Sequence, residues 1–201
     1  MRTLSSVAAA LLSLLLVLAV PGPLPGVGPS VARAEAAEAE VPPAPSDTPV
    51  RVGLAWEQTQ AEVSSTGGLW IVADGVVHGE MPAGAPVRAY LRDGGVFLET
   101  LQAWFAGPVR LVPHPSGYIS FQGRAYRGEI QLLVAAGKLS VVNVVNLEDY
   151  LLSVVPTEMD HRWPMEALKA QAVAARSYTV ANLGRWEAFG FDLSNTTSDQ
   201  V

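Results

Sequence analysis

Glu158 stands in the stretch V-V-P-T-E-M, between two segments of helical pattern. Val154, Val155, Met159 and Trp163 are near enough in sequence to surround it. Burial among such groups disfavours a charged carboxylate and keeps its proton on near neutral pH, which is what a general acid needs. The plainer alternative is a solvated turn acid. Glu148, Asp149 and Glu166 are among the other acids between Asn146 and Arg176. Placement in the first turn of a helix accounts for each of them. Lys169, Gln171, Arg176 and Tyr178 are the polar residues on a run otherwise rich in alanine, and together they make a candidate substrate-binding set. Gln171 and Tyr178 are seven apart and share a helix face. Arg176 is a candidate partner for Glu158 or for a substrate carboxylate. A solvated Lys169, a snorkelling Arg176 and a core Tyr178 are the alternatives.

Two helices must present these groups. Asn146 is a good N-cap, and Glu148 and Asp149 place negative charge at the positive end of the first helix. Leu147, Leu151, Val154 and Val155 recur at helical spacing. Pro156 lacks an N–H and biases Val155 away from helical angles, so this helix is expected to stop there and leave Thr157-Glu158-Met159 in a turn. The second helix restarts near Asp160 to Pro164, where proline is tolerated in a first turn. Its alanines allow neighbours to approach closely.

Upstream, the texture is short β-rich runs broken by glycine. They are Arg51–Trp56, Leu69–Ala73, Val87–Arg92, Val96–Thr100, Val109–Val112, Tyr118–Phe121, Glu129–Val134 and Leu139–Val145. Asp74-Gly75, Asp93-Gly94-Gly95 and Ala136-Gly137 are turn signals between them, and Asp93-Gly94 marks a hairpin. The expected fold class is α+β: a β-rich N-terminal half followed by a two-helix motif carrying the candidate active-site turn. The expected boundaries are a signal peptide at 1–34, an Ala/Glu/Pro-rich linker at 35–49 and a domain at 50–201. Within the domain, 50–145 is the β-rich part and 146–185 the helical motif.

L-E-D-Y-L-L-S-V-V-P-T-E-M followed by P-M-E-A-L-K-A-Q-A-V-A-A-R-S-Y resembles the core motif of the SpoIID/LytB family. That family holds stage II sporulation protein D and the amidase enhancers. The resemblance extends to Y-R-G at Tyr126–Gly128, V-V-N at Val141–Asn143 and F-D-L-S-N-T-T-S-D-Q-V at Phe191–Val201. It therefore covers roughly Tyr126 to Val201. The family's domain normally continues past Q-V, so the resemblance implies a C-terminally truncated domain.

The resemblance implies a lytic transglycosylase, with Glu158 as acid and then base. The sugar's own 6-hydroxyl attacks, leaving a 1,6-anhydro-muramoyl end. Its expected partners are peptidoglycan glycan strands. The alternative reading is a non-catalytic, glycan-binding protein that enhances a cell-wall amidase. Many family members carry cysteines and a histidine where this chain has Ser194, Ser198 and Asp199, so neither a structural zinc nor any cofactor is expected. His78, His114 and His161 lack ligand spacing. Trp56, Trp70, Trp104, Trp163 and Trp186 could stack on sugars, although core packing is the commoner fate of tryptophan.

Composition bounds the remainder. At 201 residues and 49% hydrophobic, the chain can build a substantial core. Met1-Arg2, the apolar run Ala8 to Val20 and the small-x-small Ala32-Arg33-Ala34 read as a signal peptide, with Glu35 as the first mature residue. The expected location is secreted or in the cell envelope. The membrane enters only if that segment stays on as an anchor. There is no cysteine, so a disulfide cannot form, and the net charge of −6 argues against nucleic acid as a partner.

Overall fold

The computed structural model describes residues 48–199. The expected signal peptide, the linker as far as residue 47, and Gln200 and Val201 lie outside the described residues. In chain order the strands are β1 (Pro49–Gln58), β2 (Gln60–Ser65), β3 (Leu69–Ala73), β4 (Val76–Met81), β5 (Val87–Arg92), β6 (Gly95–Leu98) and β7 (Ala103–Phe105). They continue with β8 (Val109–Pro113), β9 (Ile119–Phe121), β10 (Arg124–Tyr126), β11 (Glu129–Ala135) and β12 (Lys138–Asn146). Helices α1 (Leu147–Glu158) and α2 (Met165–Ala181) follow, then a 3-10 turn at Glu187–Phe189 and the short β13 (Leu193–Ser194). This is the α+β arrangement expected, with the strands ahead of the helices.

Tight hairpins build the β half. The pairs Ala73↔Val76, Arg92↔Gly95, Phe121↔Arg124 and Ala135↔Lys138 each leave two residues in the loop. Both loop residues have positive φ in all four hairpins, for example 49° at Asp93 and 74° at Gly94. That is the mirror-image turn whose twist matches the flanking strands, and glycine in the second position adopts it without strain. Asp74-Gly75, Asp93-Gly94 and Ala136-Gly137 are legible in the sequence; Gln122-Gly123 is not, because glutamine is no turn signal.

The strands form two sheets, in the orders β13-β1-β12-β11-β8-β3-β4 and β10-β9-β2-β5-β6-β7. One buried cluster joins them: Val63, Ala89 and Leu98 from the six-stranded sheet meet Ile71, Leu111, Leu132 and Val141 from the seven-stranded one. Leu151, Val154 and Ala175 of the helices belong to the same cluster. Strand β12 is buried on both faces. Leu139, Val141 and Val145 face that core, while Val142 and Val144 join Phe191 in a second cluster with Trp56 and Trp186 around it. Strand β1 lies between β12, to which it runs antiparallel, and β13, to which it runs parallel. Arg51 secures the latter contact with a bidentate ion pair to the buried Asp192, closest at 2.7 Å.

Gly128, in the Y-R-G stretch, has φ +74°, and a Cβ there would fall on the Val144 carbonyl oxygen. Gly128→Ala is therefore expected to destabilise the fold by about 2–3 kcal/mol, combining left-handed strain with a displaced backbone. Thermal unfolding checks it; an unchanged melting temperature would show that the β10–β11 corner relaxes freely.

Candidate functional site

Helix α1 grows directly out of β12. The Asn146 side chain accepts from the Asp149 N–H at 2.8 Å, and its amide donates to the Asp149 carboxylate at 2.8 Å, a reciprocal cap. The expected stop at Pro156 does not occur: α1 runs on to Glu158, with Pro156 inside it. Pro156 has no N–H to donate to the Leu152 carbonyl, so that helical hydrogen bond is missing. The turn is held by Thr157 Oγ1 donating to the Ser153 carbonyl at 2.8 Å and by Met159 N–H bonding Val155 O at 3.0 Å. Glu158 is therefore the last residue of a helix and not a turn residue. It is also exposed, as is Trp163, so the apolar enclosure expected from Val154, Val155, Met159 and Trp163 is not formed. Val154 turns inward to the core instead.

The face of α1 beside Glu158 lines a cleft of about 170 Å³. Asp149, Ser153 and Thr157 form one wall, and Arg124, Tyr126 and Arg127 form the other. Arg127 lies 3.8 Å from the Asp149 carboxylate. Hydroxyls and guanidinium groups facing each other across a narrow cleft suit a polyhydroxylated ligand carrying a carboxylate. Glu158 is not among the lining residues, but its charge reaches Tyr150, which is. Sequence reasoning missed Arg124 and Arg127. The available signal was the Y-R-G stretch, which contains Arg127.

The candidate substrate-binding residues fall into different settings on α2. Arg176 does not pair with Glu158. It grips Glu148 in a bidentate pair, Nε to Oε1 at 3.1 Å and Nη2 to Oε2 at 2.7 Å, tying α2 to the start of α1. The Arg176 guanidinium holds the Glu148 carboxyl below the usual range, although both groups are open to solvent. Water screens such a pair, so its role is to orient the helices rather than to stabilise them. Lys169 bonds Glu166 at 2.8 Å on the exposed surface. Gln171 is half-buried on α2. Tyr178 packs against the core and donates to Asp199 at 3.2 Å.

Asp199 anchors this region, and its side chain has no exposed surface. It accepts from Tyr178 Oη, Arg185 Nη1 and Trp186 Nε1, and from both the N–H and the hydroxyl of Ser194. Burial pushes its pKa up, and the Ser194, Trp186 and Tyr178 hydrogen bonds more than reverse that, leaving it below the ordinary value. Ser194 and Asp199 stand where many family members carry cysteines, and here they touch at 2.8 Å. The buried Tyr150 hydroxyl nearby has no hydrogen-bond partner among the described residues. Its pKa is raised by burial first, then by the charges of Asp199, Tyr178 and, more weakly, Glu158. Among the described residues, no group of three or more His, Cys, Asp or Glu could hold a metal ion. No helix among them is long and apolar enough to cross a membrane.

Against known proteins, residues 135–201 match the family model of the stage II sporulation protein SpoIID. The matched segment, a third of the chain, takes in β12, both helices and the Asp199 cluster. The chain is 45% identical over 83 residues to an uncharacterized protein of Brachyspira hyodysenteriae, covering 41% of this chain and 23% of that protein. It is 36% identical over 110 residues to the amidase enhancer of Bacillus subtilis, covering 47% of this chain and 16% of that protein. The chain thus spans less than a quarter of either curated relative. No solved structure matches it.

Proposed function

We propose that this SpoIID-family protein acts on peptidoglycan as a lytic transglycosylase with Glu158 as its acid–base group. The observation that carries the reading is the solvent-open Glu158 at the end of α1, the helix whose Asp149, Tyr150, Ser153 and Thr157 line the cleft, with its charge reaching Tyr150. In the reaction, the Glu158 carboxylic acid gives its proton to the glycosidic oxygen and the C1–O bond breaks. The resulting carboxylate takes the proton of the same sugar's 6-hydroxyl as O6 closes onto C1. The products are a free 4-hydroxyl end and a 1,6-anhydro-muramoyl end, and no water is consumed. Arg124 and Arg127 suit the lactyl carboxylate of a muramic residue that has lost its peptide. The site of action is outside the cytoplasm, where the substrate lies.

A second reading is favoured by the likeness to an amidase enhancer. In it, the cleft binds glycan without cutting it, and a separate cell-wall amidase is the enzyme assisted. Incubation with peptide-stripped glycan strands, followed by mass spectrometry, separates the two. New anhydro ends are expected. Their absence, with glycan still bound and amidase turnover raised, would replace the first reading with the second.

A further inference from the structure

The outer face of the six-stranded sheet carries a row of side chains that the core does not use. Directly paired residues on neighbouring strands share a face. The pairs Gln60↔Tyr90, Tyr90↔Phe97 and Phe97↔Trp104 therefore set one amide and three aromatic rings in line across β2, β5, β6 and β7. The intervening residues Ala89, Val96, Leu98 and Phe105 point the other way, into the core. Trp104 is 47% exposed, yet its indole is fixed: Nε1 donates to the Arg92 carbonyl at 2.8 Å, and the ring lies so close over Gly95 that a Cβ there would come within 2.7 Å of it. The Arg92 guanidinium, 4.3 Å from the centre of the Phe97 ring, caps the middle of the row. Tyr90 and Trp104 flank it two strands apart, about 10 Å, the length of one disaccharide in a β-1,4-linked chain.

The row runs into a groove of about 540 Å³ lined by Gln58, Gln60, Ser64, Ser120 and Gln122. Its Arg88 is held by Glu62 at 2.8 Å and by Glu99 at 3.5 Å, so the groove offers amides and hydroxyls and no free cation at Arg88. The Gln122-Gly123 hairpin closes the far end of the groove; beyond it Arg124 and Tyr126 pair with the core-facing Phe121 and Ile119 and so lie on the other face of the sheet. A fixed indole and a phenol ring flanked by amides and hydroxyls are what the apolar faces and acetamido groups of an amino-sugar polymer require.

We propose that this face is a second glycan-binding surface, on which Tyr90 and Trp104 stack against a β-1,4-linked N-acetylated chain that continues into the Gln60 groove. The surface takes the polymer of the proposed function as its ligand and so rests on that reading for the ligand's identity, but it does not involve Glu158. From β7 to β9 is four strand spacings, about 19 Å, so a long oligomer engages the whole track and a disaccharide does not. Calorimetric titration with chitohexaose, chitobiose and peptide-stripped glycan strands tests this. The long probes are expected to bind and chitobiose to bind at least about tenfold more weakly. Trp104→Ala and Tyr90→Ala are each expected to weaken chitohexaose binding about tenfold, while Trp104→Phe retains most of it. Because Trp104 packs on Gly95, Tyr90→Ala decides the matter if Trp104→Ala fails to fold. Glu158→Gln should bind like the unmodified chain. Unchanged affinity in the ring variants, or no binding of either long probe, overturns the surface. If ring variants bind normally while Glu158→Gln loses activity, the surface fails and the reaction stands. If ring variants lose binding while Glu158→Gln keeps full activity, the surface stands and the reaction fails.

Discussion

Glu158→Gln is expected to leave the melting temperature close to that of the unmodified protein and to lower the release of 1,6-anhydro-muramoyl ends by roughly 10²-fold or more, the scale of lost general acid–base catalysis. The two halves of the prediction have separate causes. Glu158 is exposed at the end of α1, and glutamine has nearly the same length, shape and helix propensity, so the fold has little to lose. The amide, however, has no proton to give to a glycosidic oxygen and forms no carboxylate to take one back. Glu166→Gln, an exposed acid early in α2, is the control and should leave product formation unchanged. If Glu158→Gln forms anhydro ends at the normal rate, the carboxylate is a helix-end charge and the catalytic reading fails.

The largest expected effect on stability belongs to Asp199→Ala. Trp186 Nε1, Ser194 N–H and the Tyr178 hydroxyl would all lose an acceptor at once, inside a region from which water is excluded. Arg185 is 44% exposed and can turn to water, so the loss is expected to be about 3–5 kcal/mol rather than the full sum of the broken bonds. The carboxylate also gives the protein an acid dependence. Its folded pKa lies below the ordinary 3.8. The stabilisation is thus fully present above that unfolded value and is lost as pH falls through the lower folded one. Denaturant titrations at neutral and acid pH test both points. Asp199→Asn should be less stable than the unmodified protein at neutral pH, and the gap should narrow on acidification. A gap of constant size would mean that shape, rather than charge, is what Asp199 contributes.

Local chemistry was legible in the sequence wherever a few adjacent residues decide the structure. Asp93-Gly94 foretold the β5–β6 hairpin, and Asn146 with Asp149 foretold the start of α1. Strands of strong apolar pattern, such as β3, β5 and β12, were equally plain. The polar strand β2, the solvated β4 and the three-residue β7 and β10 carry too little apolar signal to be read alone; they exist because partners template them. Pro156 misled because a local rule was overridden by neighbours one turn away, above all the Thr157 hydroxyl on Ser153 O. The site was the least legible part. Glu148 and Arg176 are 28 residues apart, and Asp199 gathers donors from α2, the 3-10 turn region and β13. Such pairings are fixed only after the sheets bring those elements together.

The position of β1 between β12 and β13 has a consequence for how the chain folds. Arg51 and Asp192, which clamp its outer side, are 141 residues apart, so the first described strand waits for nearly the last described residues before its edge is covered. Closing a loop of that length is entropically slow, and pairings of such long range favour folding in milliseconds to seconds rather than microseconds. A nascent chain released before residue 192 would keep β1 as an open row of unpaired amides and carbonyls, a template for pairing with other chains. The arrival of β13 shields part of that edge, through the pairing of Val52 and Gly53 with Leu193 and Ser194.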